Sequence, residues 1–179
     1  MQKILENYPQ FAAMDFDFVC EMIKNLPYKR NSDKTKITCV LDDFGGTCST
    51  KHAFLKQFAN EKRIENVKLM LGIFMMNAKN NKKISSVLEN YQLKEIPEAH
   101  NYLMINGEIK DFTKKGSKPE NFVNELVKEI EIQPKQITDF KVGFHQNFLK
   151  KYLKENPEIP YSLEEFWKIR EECIAALQK

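Results

Sequence analysis

Asn106 and Gly107 stand between two strand-like runs in "HNYLMINGEIKDFT", residues 100–113. An Asn-Gly pair in that setting is the strongest short signal for a two-residue type I′ hairpin, because both central positions need positive φ. Such a turn fixes a register. Ile105 pairs with Glu108, Leu103 with Lys110, Tyr102 with Asp111, and His100 with Thr113. Opposed residues share a face, and so do residues two apart along a strand. The hairpin therefore predicts that His100, Tyr102, Asp111 and Thr113 point to one side. His100 and Asp111 become diagonal neighbours, roughly 7–8 Å apart along the backbone and within side-chain reach.

A histidine beside a carboxylate is half of a proton-transfer system. The other half is sought upstream, in "DDFGGTCSTKHAFL", residues 42–55. From Thr47 the pattern turns helical, with Cys48, His52, Leu55 and Phe58-Ala59 along one stripe. Thr47 is a natural N-cap, which sets Cys48 in the first turn. Backbone N–H groups and the helix dipole there favour a thiolate. The Cys48 N–H points out of the helix start and is one donor for a developing oxyanion. Gly45-Gly46 removes side-chain bulk, and positive φ is expected at this pair. A cysteine nucleophile needs a base, and the base needs an orienting group. His100 and Asp111 supply both, in the chain order Cys, His, Asp.

The other segments are read from their periodicity. Residues 1–25 read as helical, with Phe16, Val19, Cys20 and Ile23 on one face and Pro27 as the stop. "KITCVLDD" reads as a short strand, or an extended approach to Gly45, that holds Cys39. "VKLMLGIFMMN" is a central strand covered on both faces. "ISSVLENYQL" holds a short helix. The region from 118 to 179 reads as helical throughout. It has Phe122, Leu126 and Ile130 in one stripe and Phe144, Phe148, Leu149 and Tyr152 in the next. A third stripe has Phe166, Ile169, Cys173 and Leu177, and opens on a Ser162/Glu165 capping box. No repeat and no linker divides the chain. The expectation is one α+β domain over residues 1–179, with its core at about 37–113. A small antiparallel sheet of three or four strands packs on the Cys48 helix, flanked by N- and C-terminal helices.

Composition narrows the function classes. Lysines are scattered and the net charge is only +3, so nothing calls for nucleic acid. The longest apolar run is far too short to span a bilayer, so no membrane partner is expected. The N-terminus does not read as a signal peptide. The cysteines at 20, 39, 48 and 173 form no CxxC pair, and with no export signal they fit a reducing, cytoplasmic location.

"GGTCSTKHAFL" followed by "HNYLMINGEIKDFT" resembles the transglutaminase-like superfamily of cysteine enzymes, whose triad logic is papain-like. The resemblance covers about residues 37–113. Members set the nucleophile at a helix N-terminus, the histidine at the start of a strand, and the aspartate, often in Asp-x-Thr, on the neighbouring strand. Cys48, His100 and Asp111 in "DFT" match those three places. The aromatic residue two positions after the histidine is Tyr102 here, where many members have tryptophan. The resemblance also implies a second oxyanion donor upstream of the cysteine, for which Asn31 is the candidate. "FGGTCSTKH" is also similar to the Gly-Gly-x-Cys segment of the arylamine N-acetyltransferases, a related branch.

The lead expectation is a cysteine-dependent hydrolase or acyltransferase acting on a peptide, protein or small acyl or amide substrate. Cys48, His100 and Asp111 carry the chemistry, with no cofactor and no metal. Two rivals are weighed against it. One is a binding or scaffold module that keeps the fold without the chemistry. The other is a metal site built from Cys48 and His52, four residues apart on one helix face. Beside these stand the plain readings: Cys48 as a packed thiol, His100 and Asp111 as a structural hairpin pair, and His145 as a surface or partly buried histidine.

Overall fold

The computed structural model describes residues 3–177; residues 1, 2, 178 and 179, at the ends of the expected domain, lie outside the described residues. The chain opens with α1, Ile4–Asn7, a 3-10 turn at Pro9–Ala13, and α2, Phe16–Asn25. The expected N-terminal helix is therefore interrupted. Pro9 starts the tight turn, and Asp15 caps α2 by accepting the N–H groups of Asp17 and Phe18. α2 buries Phe16, Val19, Cys20 and Ile23, the face expected from their spacing. Leu26, before Pro27, is already extended.

"KITCVLDD" is not a strand. Cys39–Asp42 form a single helical turn, α3, and Cys39 and Val40 bury there. Four apolar residues without alternation suit either element. The sheet fills from other segments, and Thr38 ties the turn down by donating from its hydroxyl to Asp42 at 2.9 Å.

α4, Cys48–Glu61, is buried almost all round, including Ser49, Thr50, Lys51, His52 and Gln57. It packs on the sheet of β1, Val67–Asn77, β2, Glu95–Ile105, β3, Glu108–Lys110, and β4, Leu126–Ile132, with α5, Ser85–Asn90, between β1 and β2. All pairings are antiparallel, in the order β3-β2-β1-β4, and the architecture is α+β. β1 is covered on both faces as expected. Leu69, Leu71 and Ile73 join the core under α2 and α4, whereas Met70, Phe74 and Met76 face the second core.

Residues 118–137 depart from the expected helix. Two 3-10 turns, Pro119–Asn121 and Val123–Glu125, lead into β4, which pairs with β1. The Leu126–Ile130 spacing of four fits period 2 as well as period 3.6, so the stripe does not discriminate. An open edge of β1 and the β-branched Val127, Ile130 and Ile132 decide for strand. α6, Asp139–Glu155, and α7, Leu163–Leu177, follow and close the second core through Leu149, Phe166, Ile169 and Cys173. Ser162 and Glu165 form the expected reciprocal cap of α7. No helix among the described residues is long and apolar enough to cross a membrane.

Candidate active site

The hairpin forms in the expected register up to Lys110. Ile105 pairs with Glu108 and Leu103 with Lys110. Asn106 has φ 51 and Gly107 φ 84, the two positive values a type I′ turn needs. The pairings expected for Tyr102–Asp111 and His100–Thr113 do not form, because β3 ends and the chain leaves the ladder at Asp111. α4 draws the departing segment away. The Phe112 N–H donates to His52 Nε2 at 2.8 Å, and Lys51 Nζ donates to the Thr113 carbonyl at 2.9 Å. Asp111 still meets His100, with its Oδ2 3.4 Å from His100 Nε2. The contact is a close ion pair, not an aligned hydrogen bond, and Nε2 has no hydrogen-bond partner. The other carboxylate oxygen is fixed by Thr113, whose N–H and hydroxyl donate at 2.9 and 2.5 Å. The Asp-x-Thr spacing thus serves to aim the carboxylate.

Thr47 caps α4 and Cys48 occupies its first helical position. Thr50 completes the cap, its hydroxyl accepting the Thr47 N–H at 3.0 Å and donating to Asn31 Oδ1 at 2.7 Å. Gly45 and Gly46 do not have positive φ; the left-handed residue in this turn is Phe44, at φ 51. The two glycines are needed for close approach. A Cβ on Gly45 would lie 2.9 Å from the Pro27 carbonyl oxygen, and one on Gly46 would lie 2.6 Å from Thr50 Oγ1. The Asn31 amide donates to the carbonyls of Cys39 and Gly45 and to Asp43. Its protons are spent on the loop, so Asn31 is a brace of the cysteine turn and not the second oxyanion donor.

His52 is also accounted for. Its Nδ1 donates to the Cys48 carbonyl at 2.7 Å, while Nε2 accepts from Phe112. Burial lowers its pKa to about 4, so the ring is neutral at pH 7. Both nitrogens are engaged, which removes the Cys48/His52 metal reading on the donor set itself. His100 sits in an aromatic box. Phe122 lies 4.7 Å away by ring centroids, and Tyr102 stacks at 6.2 Å. Gly72 opposite His100 leaves room for Tyr102, whose hydroxyl reaches across to Glu129.

The charges at the site oppose desolvation. Burial alone would push the Cys48 thiol up. Lys141, then His100, outweigh it and bring the thiol down to about 6. Burial also disfavours a charged His100, but Asp111 and Cys48 raise it to about 10. Asp111 is held well below the usual carboxylate range against its own burial, chiefly by His100. Between those two values the stable form is thiolate, imidazolium and carboxylate. The remaining cysteines are buried and free, and burial raises all three, Cys39 to about 12 and Cys173 to about 11.

Three site groups carry no signal in the sequence. Lys141, near the start of α6, brings Nζ to 3.9 Å from Cys48 Sγ and donates to Ser49 Oγ and Asn101 Oδ1, each at 2.8 Å. His145, one turn later, is fully buried, where a surface or partly buried place was expected. It bonds the Pro97 carbonyl at 2.8 Å and packs edge-on to Trp167. Arg170 of α7 grips Glu98 of β2 through two hydrogen bonds at 2.7 and 2.5 Å. The i, i+4 spacing of Lys141 and His145 is the one local hint, and it is shared by many solvated helix faces.

Cys48 borders two cavities. One of about 800 Å³ is lined by Arg30, Ser49, Lys141, Trp167 and Arg170. The other, of about 250 Å³, is lined by His100, Asp111, Phe74, Met76 and Phe122. Tyr28 and Glu98 border both. The larger cavity reaches Cys48 beside Lys141, and the smaller one reaches it beside His100. No protein-family model, no curated protein and no solved structure matches the chain at a significant level.

Proposed function

We propose that this chain is a cysteine-dependent acyl-transfer enzyme or hydrolase acting on an amide or thioester, with chemistry of the transglutaminase-like kind. One observation carries the reading. His100 Nε2 lies 3.4 Å from the Asp111 carboxylate, both residues line one cavity with Cys48, and the thiol, at a helix N-terminus, is lowered to about 6 in part by His100.

The reaction follows from those three groups. The Cys48 thiolate attacks the acyl carbon, a C–S bond forms, and the carbonyl π pair moves onto oxygen. The tetrahedral intermediate collapses as the bond to the leaving nitrogen or sulfur breaks. His100 delivers a proton to that atom. Asp111 holds the ring orientation and favours the imidazolium. Water or an amine then attacks the thioester while His100 takes its proton, and Cys48 is released. Peptides, proteins or small amides and thioesters are the substrate classes this chemistry serves. The same reading includes no cofactor in the catalytic cycle, no nucleic-acid or membrane partner, and a reducing, cytoplasmic location for the four free thiols.

Intact-mass analysis after incubation with an activated ester and with a simple thioester tests the proposal. A single acyl adduct is expected, mapping to Cys48 and missing in Cys48→Ser. If wild-type protein acquires no acyl adduct, while the melting curve shows it folded, the scaffold reading takes over.

A further inference from the structure

We propose that Lys141 is a catalytic residue, its ammonium stabilising the negative oxygen that forms when the Cys48 thiolate attacks an acyl carbon. The inference rests on the acyl-transfer reading above and deepens it. It fills the place of the second oxyanion donor, which Asn31 does not occupy.

The geometry is that of a group held for one purpose. Lys141 Nζ has three protons. Two are committed to neutral oxygens, Ser49 Oγ and Asn101 Oδ1, at 2.8 Å each. The Asn101 oxygen is itself aimed, because its amide donates to the Met70 carbonyl at 2.9 Å. The third direction is open to Cys48 Sγ at 3.9 Å. Among the described residues no carboxylate comes within ion-pair distance of this buried ammonium, so its nearest anion is the thiolate. A buried ammonium is costly without a counter-charge. Here the counter-charge moves during the reaction.

As the C–S bond forms, sulfur gives up its negative charge and the acyl oxygen two bonds away takes it. The third N–H of Lys141 follows the charge while the two anchoring bonds stay in place. Burial lowers the Lys141 pKa, and the negative charge on Cys48 opposes that shift; in the proposed role the lysine keeps its proton while that charge passes from sulfur to oxygen. When the intermediate collapses, the oxygen returns to a carbonyl and His100 protonates the leaving atom. The Cys48 N–H, at the first helical position, has no acceptor within the helix and completes the pair of donors. A fixed ammonium in a site partly shielded from water is worth more than the same charge in solution.

Lysine in this position has a competing role. It lowers the thiol pKa, and removing it would slow any reaction of Cys48 for that reason alone. Two reactions separate the roles. Alkylation by iodoacetamide is a displacement at saturated carbon and forms no oxyanion. Acylation by p-nitrophenyl acetate forms one. Each is followed over pH until its rate reaches a plateau, where Cys48 is fully thiolate.

For Lys141→Met we expect the alkylation plateau to stay within about threefold of wild type. The acylation plateau should fall by about a hundredfold or more. Lys141→Gln keeps a neutral donor and should recover part of the acylation loss. Should Lys141→Met fail to fold, Lys141→Gln and Lys141→Arg make the same comparison. Acylation and alkylation plateaus that fall together, or that both match wild type, overturn the catalytic role. Wild-type protein that alkylates at Cys48 but never acylates overturns the acyl-transfer reading, and the Lys141 role with it.

Discussion

His52 and Phe112 are joined by a 2.8 Å hydrogen bond, the Phe112 N–H donating to the ring Nε2. The same ring donates from Nδ1 to the Cys48 carbonyl. One neutral side chain therefore ties the start of the cysteine helix to the residue after Asp111, and so fixes the distance between two of the three site groups. His52→Leu leaves the buried Phe112 N–H without a partner. A loss of about 1–3 kcal/mol is expected in urea unfolding.

The same histidine makes stability depend on acid. Its folded pKa, about 4, lies below the ordinary value of 6.5. The unfolded chain therefore binds the extra proton first. The stabilisation is complete above pH 6.5 and is lost as pH falls through about 4, an effect on the order of 3 kcal/mol. His100, raised to about 10, stays protonated in the folded state throughout that window; the unfolded residue loses its proton only near the upper end, so His100 adds a small slope there and none towards pH 4. Urea midpoints measured at pH 4 and pH 6.5 should differ clearly less in His52→Gln than in wild type. Equal pH dependence in both proteins rejects the assignment.

Cys48 should be the one cysteine that alkylates quickly at neutral pH. At a thiol pKa of about 6 it is about 90% thiolate at pH 7. Burial keeps Cys20, Cys39 and Cys173 protonated. Peptide mapping after brief iodoacetamide treatment should find Cys48 modified at least about 100-fold faster than the others. The rate should rise through about pH 6 and stay flat towards pH 9. In His100→Ala the rise should move to higher pH. Uniform slow labelling of all four removes the thiolate from the account.

How much of this was legible in the chain depends on how far apart the causes lie. The Asn106-Gly107 turn is a local instruction, and its register came through to Lys110. The cap at Thr47 is equally local. The path of Asp111 is not. His52 and Lys51, some 60 residues upstream, pull it out of the ladder, and strand alternation carries no trace of that. Phe122, Leu126 and Ile130 failed differently, since a spacing of four serves helix and strand alike. Lys141 was invisible because a lysine near a helix start looks the same whether it faces water or a thiolate. Its partners Ser49 and Asn101 arrive from α4 and β2 only once the fold closes.

Asp111 and Thr113 give a graded test of orientation. Thr113 donates twice to Asp111 Oδ1, which leaves Oδ2 for His100. Asp111→Asn removes the charge that favours the imidazolium and frees an amide that also seeks acceptors. Acylation of Cys48 should fall by about 10²–10⁴. Thr113→Val keeps the charge and the backbone N–H and loses only the hydroxyl. A fall of about tenfold or less is expected, with about 1 kcal/mol of stability lost. A Thr113→Val effect as large as that of Asp111→Asn would mean that the carboxylate acts through Thr113 and not through His100.

Glu98 and Arg170 locate the last prediction away from the reacting atoms. The guanidinium meets both carboxylate oxygens in a buried fork, two residues before His100 on β2, and fixes α7 against the sheet beside the larger cavity. Burial opposes the charge on Glu98, yet Arg170 holds its carboxyl below the usual range. Removing Arg170 leaves Glu98 buried and alone, whereas removing Glu98 leaves Arg170 still paired with Glu171. Arg170→Met should cost about 3–5 kcal/mol in urea unfolding, and Glu98→Leu less. The double variant replaces a desolvated ion pair with apolar packing and should recover most of that loss, because the pair itself contributes little beyond mutual neutralisation. The double variant should keep the low thiol pKa of Cys48, since Lys141 and His100 set that value and not the fork. A double variant as unstable as Arg170→Met, or one whose Cys48 titrates near 9, contradicts this division between the residues that hold the site and those that charge it.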